Sequence, residues 1–370
     1  MRGVTQLAGV VFAVLASCES AAAQPQAAPT EIPAPTPIAH VVQEPAREIK
    51  SPWLIAPVFS SNPKLGTAGG AIAGYMRYFD PESRLSVFGV MYQYTSTKSQ
   101  IAGVFARTSF AADHHRIVAI GAFGNVKNDY DDYLGTGQPL KTDSALAAGA
   151  ARYLYRAWGN WFAGGQANAL NYQVAGATPE DDLVLETIGV RDFNSAAIGA
   201  TVMHDSRDNE DMPTKGWFLN LNNLAYREGL GGSANYDAYR ADLRAFWPHG
   251  KGHVLAIRQF NWLTNDAPTA AQASVILRGY KLGQYLAPYM SSVEAEERLS
   301  FNQRWGATLF VGVAGLYGDT AVPLERSIYP TVGGGVHFVL KPKERMIVNA
   351  EFAQGTADNR GFYVKLGYAW

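Results

Sequence analysis

The last nine residues of the chain, 362–370, constrain its fold more than any other segment. Read with a period of two, one face of this segment is apolar and aromatic throughout. The residues of that face are Phe362, Val364, Leu366, Tyr368 and Trp370. Side chains alternate across a β-strand, so the pattern predicts a strand with one unbroken apolar face. Such a face is either buried in a protein core or turned toward lipid. A final aromatic residue is typical of the second case, in which it lies at the membrane interface.

The amino terminus predicts export from the cytoplasm. Arg2 supplies a short positive region, and residues 7–16 are an apolar stretch that suits a signal peptide but is too short to span a membrane. Two cleavage sites fit. Cleavage after Ala23 would leave no thiol in the mature chain, whereas cleavage at the lipobox that ends in Cys18 would leave Cys18 lipidated. Because Cys18 is the only cysteine, we expect neither a disulfide nor a thiolate metal site.

Composition narrows the class of protein. The chain is 47% hydrophobic with a mean hydropathy of −0.10. It has no apolar run of about 18 residues after the signal, which excludes a helical membrane protein. A net charge of −1 indicates neither nucleic-acid binding nor a polyanionic substrate. The 37 glycines and the aromatic content of 12% are typical of a transmembrane β-barrel. An array of soluble β-sandwiches is the alternative.

The chain divides into three parts. A signal peptide over 1–23 is followed by a disordered Pro/Ala-rich linker over 24–50, which leaves no room for a folded domain ahead of the barrel. Residues 51–370 are predicted to be all-β, as a sixteen-stranded antiparallel transmembrane barrel. The predicted strands are 53–60, 65–79, 84–97, 99–110, 115–127, 143–157, 160–174, 194–206, 215–227, 236–247, 252–264, 293–303, 307–318, 329–341, 344–355 and 361–370.

The lengths of the connections support this strand count. If the first strand runs outward, every second connection is a periplasmic turn, and all of these are short. The long segments all fall on the opposite side, as extracellular loops should. These segments are 128–142, 175–193, 228–235, 265–292 and 319–328. Within strands such as 236–247, the polar row is assigned to the lumen because a charge at the lipid midplane costs about 2–4 kcal/mol.

Three short motifs lie in a loop, a strand and a turn that this topology assigns to defined places in the barrel. They are Arg278-Gly279-Tyr280 in the longest loop, Glu296 and Arg298 in the next strand, and Asp205, Arg207, Asp208, Pro213 and Gly216 after strand eight. Together they resemble the BamA/TamA superfamily of outer-membrane proteins, also called the bacterial surface antigen family. The resemblance covers essentially all of 51–370. It implies an Arg-Gly-aromatic tip on the sixth extracellular loop, an E-x-R element on strand twelve and a D-x-R-D…P-x-x-G periplasmic turn, and it makes 362–370 the C-terminal insertion signal.

The loop motif makes physical sense inside a lumen. A desolvated arginine needs carboxylate partners, Gly279 permits a tight turn, and Tyr280 adds an apolar ring with a polar end. The family usually presents F-x-D-x-G on strand thirteen, but this chain has Val313 where we expect the acid. Glu294, Glu296 or Asp242 is therefore expected to pair with Arg278, with Arg298 as a further lumen residue.

The resemblance implies a barrel, without POTRA domains, that assists insertion or translocation of protein or lipid at the bacterial outer membrane. The implied partners are outer-membrane lipid, the barrel-assembly machinery during biogenesis, and client polypeptides or periplasmic proteins, but no nucleic acid. The alternative is a passive porin-like channel, since sixteen strands can enclose a solute path. A loop 265–292 inside the lumen favours the first function, and a loop outside favours the second.

We expect no enzyme, cofactor or metal. His204, Asp205 and Ser206 supply the residue types of a hydrolase triad, but adjacent side chains on a strand point to opposite faces.

The junction of the first and last strands is predicted to be weak. Pro57 lies at the centre of the first strand, where it has no N–H to donate. Gly361 and Gly367 add backbone freedom to the last strand. The sequence therefore predicts that this junction has the fewest backbone hydrogen bonds of any adjacent pair.

Overall fold

The fold is described from a computed structural model. It describes residues 52–62, 66–130, 140–187, 193–209, 212–268, 271–280, 285–319, 326–341, 346–356 and 359–366. The predicted signal peptide and linker lie outside these residues, as do Cys18, Tyr368 and Trp370.

Sixteen strands form one antiparallel sheet in which each strand pairs with its neighbour in sequence. They are β1 (Trp53–Asn62), β2 (Gly66–Arg77), β3 (Ser86–Thr95), β4 (Gln100–Phe110), β5 (His115–Tyr130), β6 (Leu140–Trp158), β7 (Trp161–Gly176), β8 (Phe193–Asp205), β9 (Gly216–Tyr226), β10 (Tyr236–His249), β11 (His253–Asn265), β12 (Tyr289–Ser300), β13 (Trp305–Tyr317), β14 (Ile328–Lys341), β15 (Met346–Gln354) and β16 (Arg360–Leu366). The predicted class and strand number are confirmed.

The sheet curls until its first and last strands lie side by side. β1 pairs with β2 from Trp53 to Asn62, and β16 pairs with β15 from Arg360 to Leu366. Between β1 and β16, which we call the seam, the described residues form no paired register. The described part of the seam therefore has fewer backbone bonds than any other adjacent pair. The last four residues of the predicted strand 361–370, including Gly367, lie outside the described residues.

The two faces of the sheet are reversed relative to a soluble protein. On β10, Tyr239, Leu243 and Trp247 are exposed on the outer face, whereas Asp242 and Arg244 are buried on the inner face. Exposed apolar rows are stable only against lipid, and buried charges require partners inside the lumen. The sheet is thus the wall of a barrel with an apolar outside and a polar inside.

Aromatic residues mark the two rims of the outer face. Tryptophans lie at the rim of short turns, and tyrosines lie at both rims, with Tyr75, Tyr153 and Tyr155 exposed at the rim of short turns. The exposed or half-buried tryptophans at the rim of short turns are Trp53, Trp158, Trp161, Trp217, Trp247 and Trp305, whereas the rim of long loops carries Tyr92, Tyr94, Tyr239, Tyr289 and Tyr317. Both residue types prefer the membrane interface because each combines an apolar ring with a polar group. The rims therefore fit the predicted periplasmic and extracellular ends.

Some strand boundaries differ from those predicted. β12 begins at Tyr289 instead of residue 293, so the longest loop is 266–288. Ser291 and Ser292 resemble a loop in sequence, but they pair with Asn261 and Phe260 of β11, and the Ser291 hydroxyl donates to Asn261 Oδ1 at 2.8 Å. The cross-strand partner supplies the stabilisation that local propensity lacks.

Within the described residues, helical structure lies in the connections. An α-helix, α1 (Pro179–Thr187), lies between β7 and β8, and a 3₁₀ turn, Glu228–Leu230, lies between β9 and β10. In the longest loop, Ala273–Ser274 pairs with Leu286–Ala287 as a small hairpin. Within the described ranges, no helix has the length and apolar character needed to cross a bilayer.

Candidate functional site

Residues 271–280 and 285–288 of the longest connection, 266–288, fold into the lumen, and we call these described residues the lumen loop. Val275 and Tyr280 are buried together with inward residues of β11 and β12, among them Trp262 and Met290. Arg278 is only 7% exposed. A loop with this much buried surface occupies the barrel interior, where we expected it if the family resemblance held.

Arg278 lies among three carboxylates. Its Nη2 is 2.8 Å from Glu294 Oε1, and its Nη1 is 2.7 Å from Glu296 Oε2 and 3.2 Å from Glu351 Oε2. The guanidinium also stacks on Phe310, with its carbon 3.3 Å from the ring centroid. Planar stacking and a donor fork are what distinguish arginine from lysine at such a site.

The two residues after Arg278 attach the tip to the last strands. Gly279 has a φ of +96°, a left-handed conformation that favours glycine, and its N–H donates to Tyr363 Oη of β16 at 2.9 Å. The Tyr280 hydroxyl donates to the carbonyl of Pro330 at 2.6 Å and accepts from the Thr356 N–H at 3.0 Å. The tip of the lumen loop is therefore connected to the β16 side of the seam.

Two of the sequence expectations about the acid partners need correction. Asp242 is not a partner of Arg278, because its carboxylate accepts from Arg244 and Arg258 at 2.6–3.1 Å. Val313 is exposed on the outer face and could not hold a lumen acid. Its inward neighbour Gly312 pairs directly with Glu294.

Glu294 and Glu351 supply the carboxylates that contact Arg278 in the absence of that acid. A Cβ at Gly312 would lie 3.3 Å from the Glu294 side chain, so Glu294 occupies the space above this glycine. Glu351 was not singled out as a partner, although the inward alternation of Asn349 and Glu351 was the signal that could have found it. Asn349 Nδ2 donates to Glu351 and orients it.

The predicted periplasmic turn, 206–215, also reaches the lumen. Asp205 accepts two bonds from Arg207 at 2.9 Å, and both side chains are buried. Asp208 accepts from the N–H of Thr214 at 2.8 Å and closes the turn. Gly216 has a φ of +99°, and a Cβ there would overlap the carbonyl of Ser206.

The three motifs form one continuous chain of polar contacts. Arg278 contacts Glu296, Glu296 accepts from Arg298 Nε at 2.6 Å, and Arg298 Nη1 donates to the carbonyl of Pro213 at 3.0 Å. These groups connect an extracellular loop to a periplasmic turn through β12. Buried networks of this kind are rigid when every member has its partner.

A second buried cluster lies at the periplasmic end and was not anticipated from sequence. Asp113, in the turn between β4 and β5, contacts Arg84, Arg116 and Arg156. The Asp113 side chain is 1% exposed, and Ser109 Oγ donates to it at 2.6 Å. The only sequence signal was an inward position for each arginine, which does not identify a shared partner.

The arginines determine how the Asp113 cluster responds to pH. Burial by itself raises the pKa of Asp113, but the hydrogen bond and charge of Arg116 and the charge of Arg84 hold that pKa below its usual range. A carboxyl whose folded-state pKa is depressed stabilises the fold above its unfolded pKa of about 3.9. That stabilisation is lost as pH falls through the folded value.

Asp113→Asn is expected to lower the free energy of unfolding by about 3–5 kcal/mol at neutral pH, because it leaves buried arginines without their carboxylate. Chemical denaturation in detergent measures the change. The control is Asp237→Asn, whose partner Arg227 is 42% exposed and whose loss is expected to cost about 0–1 kcal/mol. The gap between wild type and Asp113→Asn should close only below about pH 4. A gap that is absent at pH 7 would contradict the role of this cluster.

The residues of the hydrolase alternative do not converge. His204 stacks on Trp217, with ring centroids 3.8 Å apart, whereas Asp205 is held by Arg207 inside the barrel. The Ser206 hydroxyl donates to the carbonyl of Trp217 at 3.2 Å. No proton path joins these three side chains, so their arrangement does not fit a triad.

Comparison with known proteins shows which family the chain resembles in sequence and which solved structures it resembles in fold. The Omp85 superfamily domain matches residues 64–291. No curated protein matches the sequence. Among solved structures, the chain is similar to BamA from Haemophilus ducreyi lacking POTRA domains 1–3, with a TM-score of 0.57 and 10% identity over 86% of this chain and 69% of that one.

The chain is also similar to two CdiB structures. CdiB from Acinetobacter baumannii gives a TM-score of 0.62 and 11% identity over 85% of this chain and 60% of that one. CdiB from Escherichia coli gives 0.62 and 10% over 86% and 63%. The chain thus spans less than two thirds of either CdiB protein, and identities this low show a shared fold alone. Because the Omp85 domain matches more than half of its residues, the chain belongs to the Omp85 superfamily and is a bacterial outer-membrane β-barrel protein.

Proposed function

We propose that this barrel assists the insertion or translocation of client polypeptides, or of lipid, at the outer membrane by opening sideways at the seam. Membership of the Omp85 superfamily supports outer-membrane insertion or translocation at the level of the family. The particular client, and the use of the seam, are the proposal.

One observation carries it: among the described residues, which end at Leu366, β1 and β16 share no ladder, while the lumen loop holds one side of the seam. Gly279 bonds to Tyr363 of β16, and Arg278 bonds to β12 and β15. β1 is held by its ladder to β2. Each backbone bond in a ladder contributes about 0.5–1.5 kcal/mol net, and an unpaired group in lipid costs more. A junction without a ladder therefore opens at much lower cost than any other part of the wall.

The filling of the lumen argues against a passive pore. The lumen loop occupies the interior on the β11–β16 side. At the periplasmic end, Phe162 and Phe218 are buried with Leu154 and Met203, and Arg116 stacks 3.8 Å above Phe162. A diffusion channel requires an open path along the axis, and these side chains lie inside the barrel.

A reconstitution experiment separates the two functions. We expect the purified barrel to speed insertion of an unfolded outer-membrane β-barrel client into liposomes, and to show no steady ohmic conductance in a planar bilayer. Empty liposomes and liposomes with an unrelated porin are the controls. Steady conductance without any effect on client insertion would reject the proposal in favour of a passive channel.

A further inference from the structure

The wall contains a second interruption, between β8 and β9. Ala197 and Ile198 pair with Tyr226 and Ala225, and pairing resumes only at Thr201. Gly199 and Ala200 are left out of the ladder, together with the two residues opposite them. The register is the same on both sides of this gap, so it is not a β-bulge, which would shift the register by one residue.

Two side chains satisfy the backbone across the gap. Asn223 Oδ1 accepts from the N–H of Ala200 at 2.9 Å. From the lumen side, Gln166 Nε2 donates to the carbonyl of Asn223 at 2.9 Å and to Asn222 Oδ1 at 3.1 Å. Backbone groups at membrane depth must be satisfied, but these partners are side chains with rotatable bonds. They can follow a change in strand separation that would break a ladder.

The wall around the gap is also thin. A Cβ at Gly199 would overlap the carbonyl of Asn223, so only glycine allows the strands to approach as they do. On the outer face, a groove of about 380 Å³ lies over the gap, lined by Ala200, Leu221, Asn223 and Ala241 among others. Few side chains resist bending where the wall carries alanine and glycine.

The gap lies at a particular position in the wall relative to the seam. In a sheet of sixteen strands, the β8–β9 junction has eight strands on each side and lies opposite the seam. Each half has its own brace. Asp113 joins the β3, β5 and β6 ends through Arg84, Arg116 and Arg156. In the other half, the lumen loop joins β12 to β15 and β16, and Arg298 joins β12 to Pro213 in the turn before β9.

We propose that the β8–β9 gap is the hinge about which the two halves of the barrel move when the seam opens. One part of this inference rests on the proposed function, namely that motion at the hinge opens the seam. The hinge has a property of its own: the two strands separate and close at the gap, at membrane depth, more readily than at a fully paired junction.

Hydrogen exchange tests that property without any client. In nanodiscs, we expect the amides of residues 199–200 and 223–224 to exchange about tenfold faster than those of 238–240, which lie in an unbroken ladder at similar depth. The disulfide of Ala200→Cys/Asn223→Cys should slow this exchange. A control disulfide, Val311→Cys/Val332→Cys, joins direct partners of β13 and β14 and should not. Gap amides as slow as those of the ladder would overturn the hinge.

Client insertion tests the consequence. We expect the oxidised gap disulfide to lower the insertion rate by about tenfold, with recovery on reduction, and the control disulfide to change it less than about twofold. Equal rates for the two disulfides would reject the hinge while leaving the proposed function intact. Fast gap exchange in a barrel that inserts no client would support the hinge and reject the proposed function.

Discussion

Arg278→Ala is expected to lower the free energy of unfolding of the barrel by about 3–5 kcal/mol, because Glu294, Glu296 and Glu351 would share a buried site without the cation they surround. The lumen loop should also leave the wall, since the arginine is its main polar anchor. Thermal or urea unfolding followed by heat-dependent gel mobility measures the stability. Protease sensitivity of residues 271–280 measures the loop.

The matched control is Asp237→Ala, which removes an ion pair at the extracellular rim. Arg227 and Asp237 are 42% and 29% exposed, so this loss is expected to cost about 0–1 kcal/mol. Adding Glu294→Gln to Arg278→Ala should recover part of the stability, because it removes a carboxylate that has lost its partner. Equal stability of Arg278→Ala and wild type would show that the three glutamates do not need the arginine.

Locking the seam with a disulfide is expected to abolish client insertion and to leave the fold intact. β1 runs outward from Trp53 and β16 runs inward from Arg360, so Ser61→Cys near the outer end of β1, combined with Arg360→Cys or Phe362→Cys, gives a set of candidate cross-links. The physical reason is that client strands can enter the wall only where a strand edge becomes free. Reduction of the disulfide should restore insertion.

A disulfide between Ser61→Cys and Thr67→Cys is the control for the seam. These residues are direct partners in the β1–β2 ladder, so the control carries one of the same cysteines but leaves the seam unlocked. Insertion should proceed at the rate of the wild-type barrel. If the seam disulfide leaves insertion equally fast, the lateral opening is wrong and the client must cross elsewhere.

The class of fold was accessible from sequence because it depends on short-range periodicity. Alternation of outer Tyr239, Leu243 and Trp247 with inner Asp242 and Arg244 requires only that side chains on a strand point in turn to lipid and lumen. Connection lengths then set the orientation. Boundaries were less accessible, as the start of β12 at Tyr289 shows, because cross-strand pairing decided them.

Some residues of the site could be predicted from the sequence, and others could be found only from the structure. The motifs located the lumen loop, the E-x-R element and the turn, and Glu294 and Glu296 lie near enough in sequence to be named as partners of Arg278. Glu351 lies far along the chain and reaches Arg278 only because β12 and β15 curve around the same lumen. Asp242 does not pair with Arg278, because Arg244 on the same strand and Arg258 on the adjacent strand β11 bind its carboxylate.

The sequence by itself determined that this chain forms a sixteen-stranded barrel and which loop carries the arginine tip, and it predicts a weak seam where the first and last strands meet. Each of these follows from local periodicity, turn chemistry or the missing N–H of proline. Only the tertiary structure decided which carboxylates surround Arg278, that Asp113 gathers three arginines, and that the wall has a gap opposite the seam. Those features depend on contacts between distant strands, and the closure of the sheet determines which strands face each other.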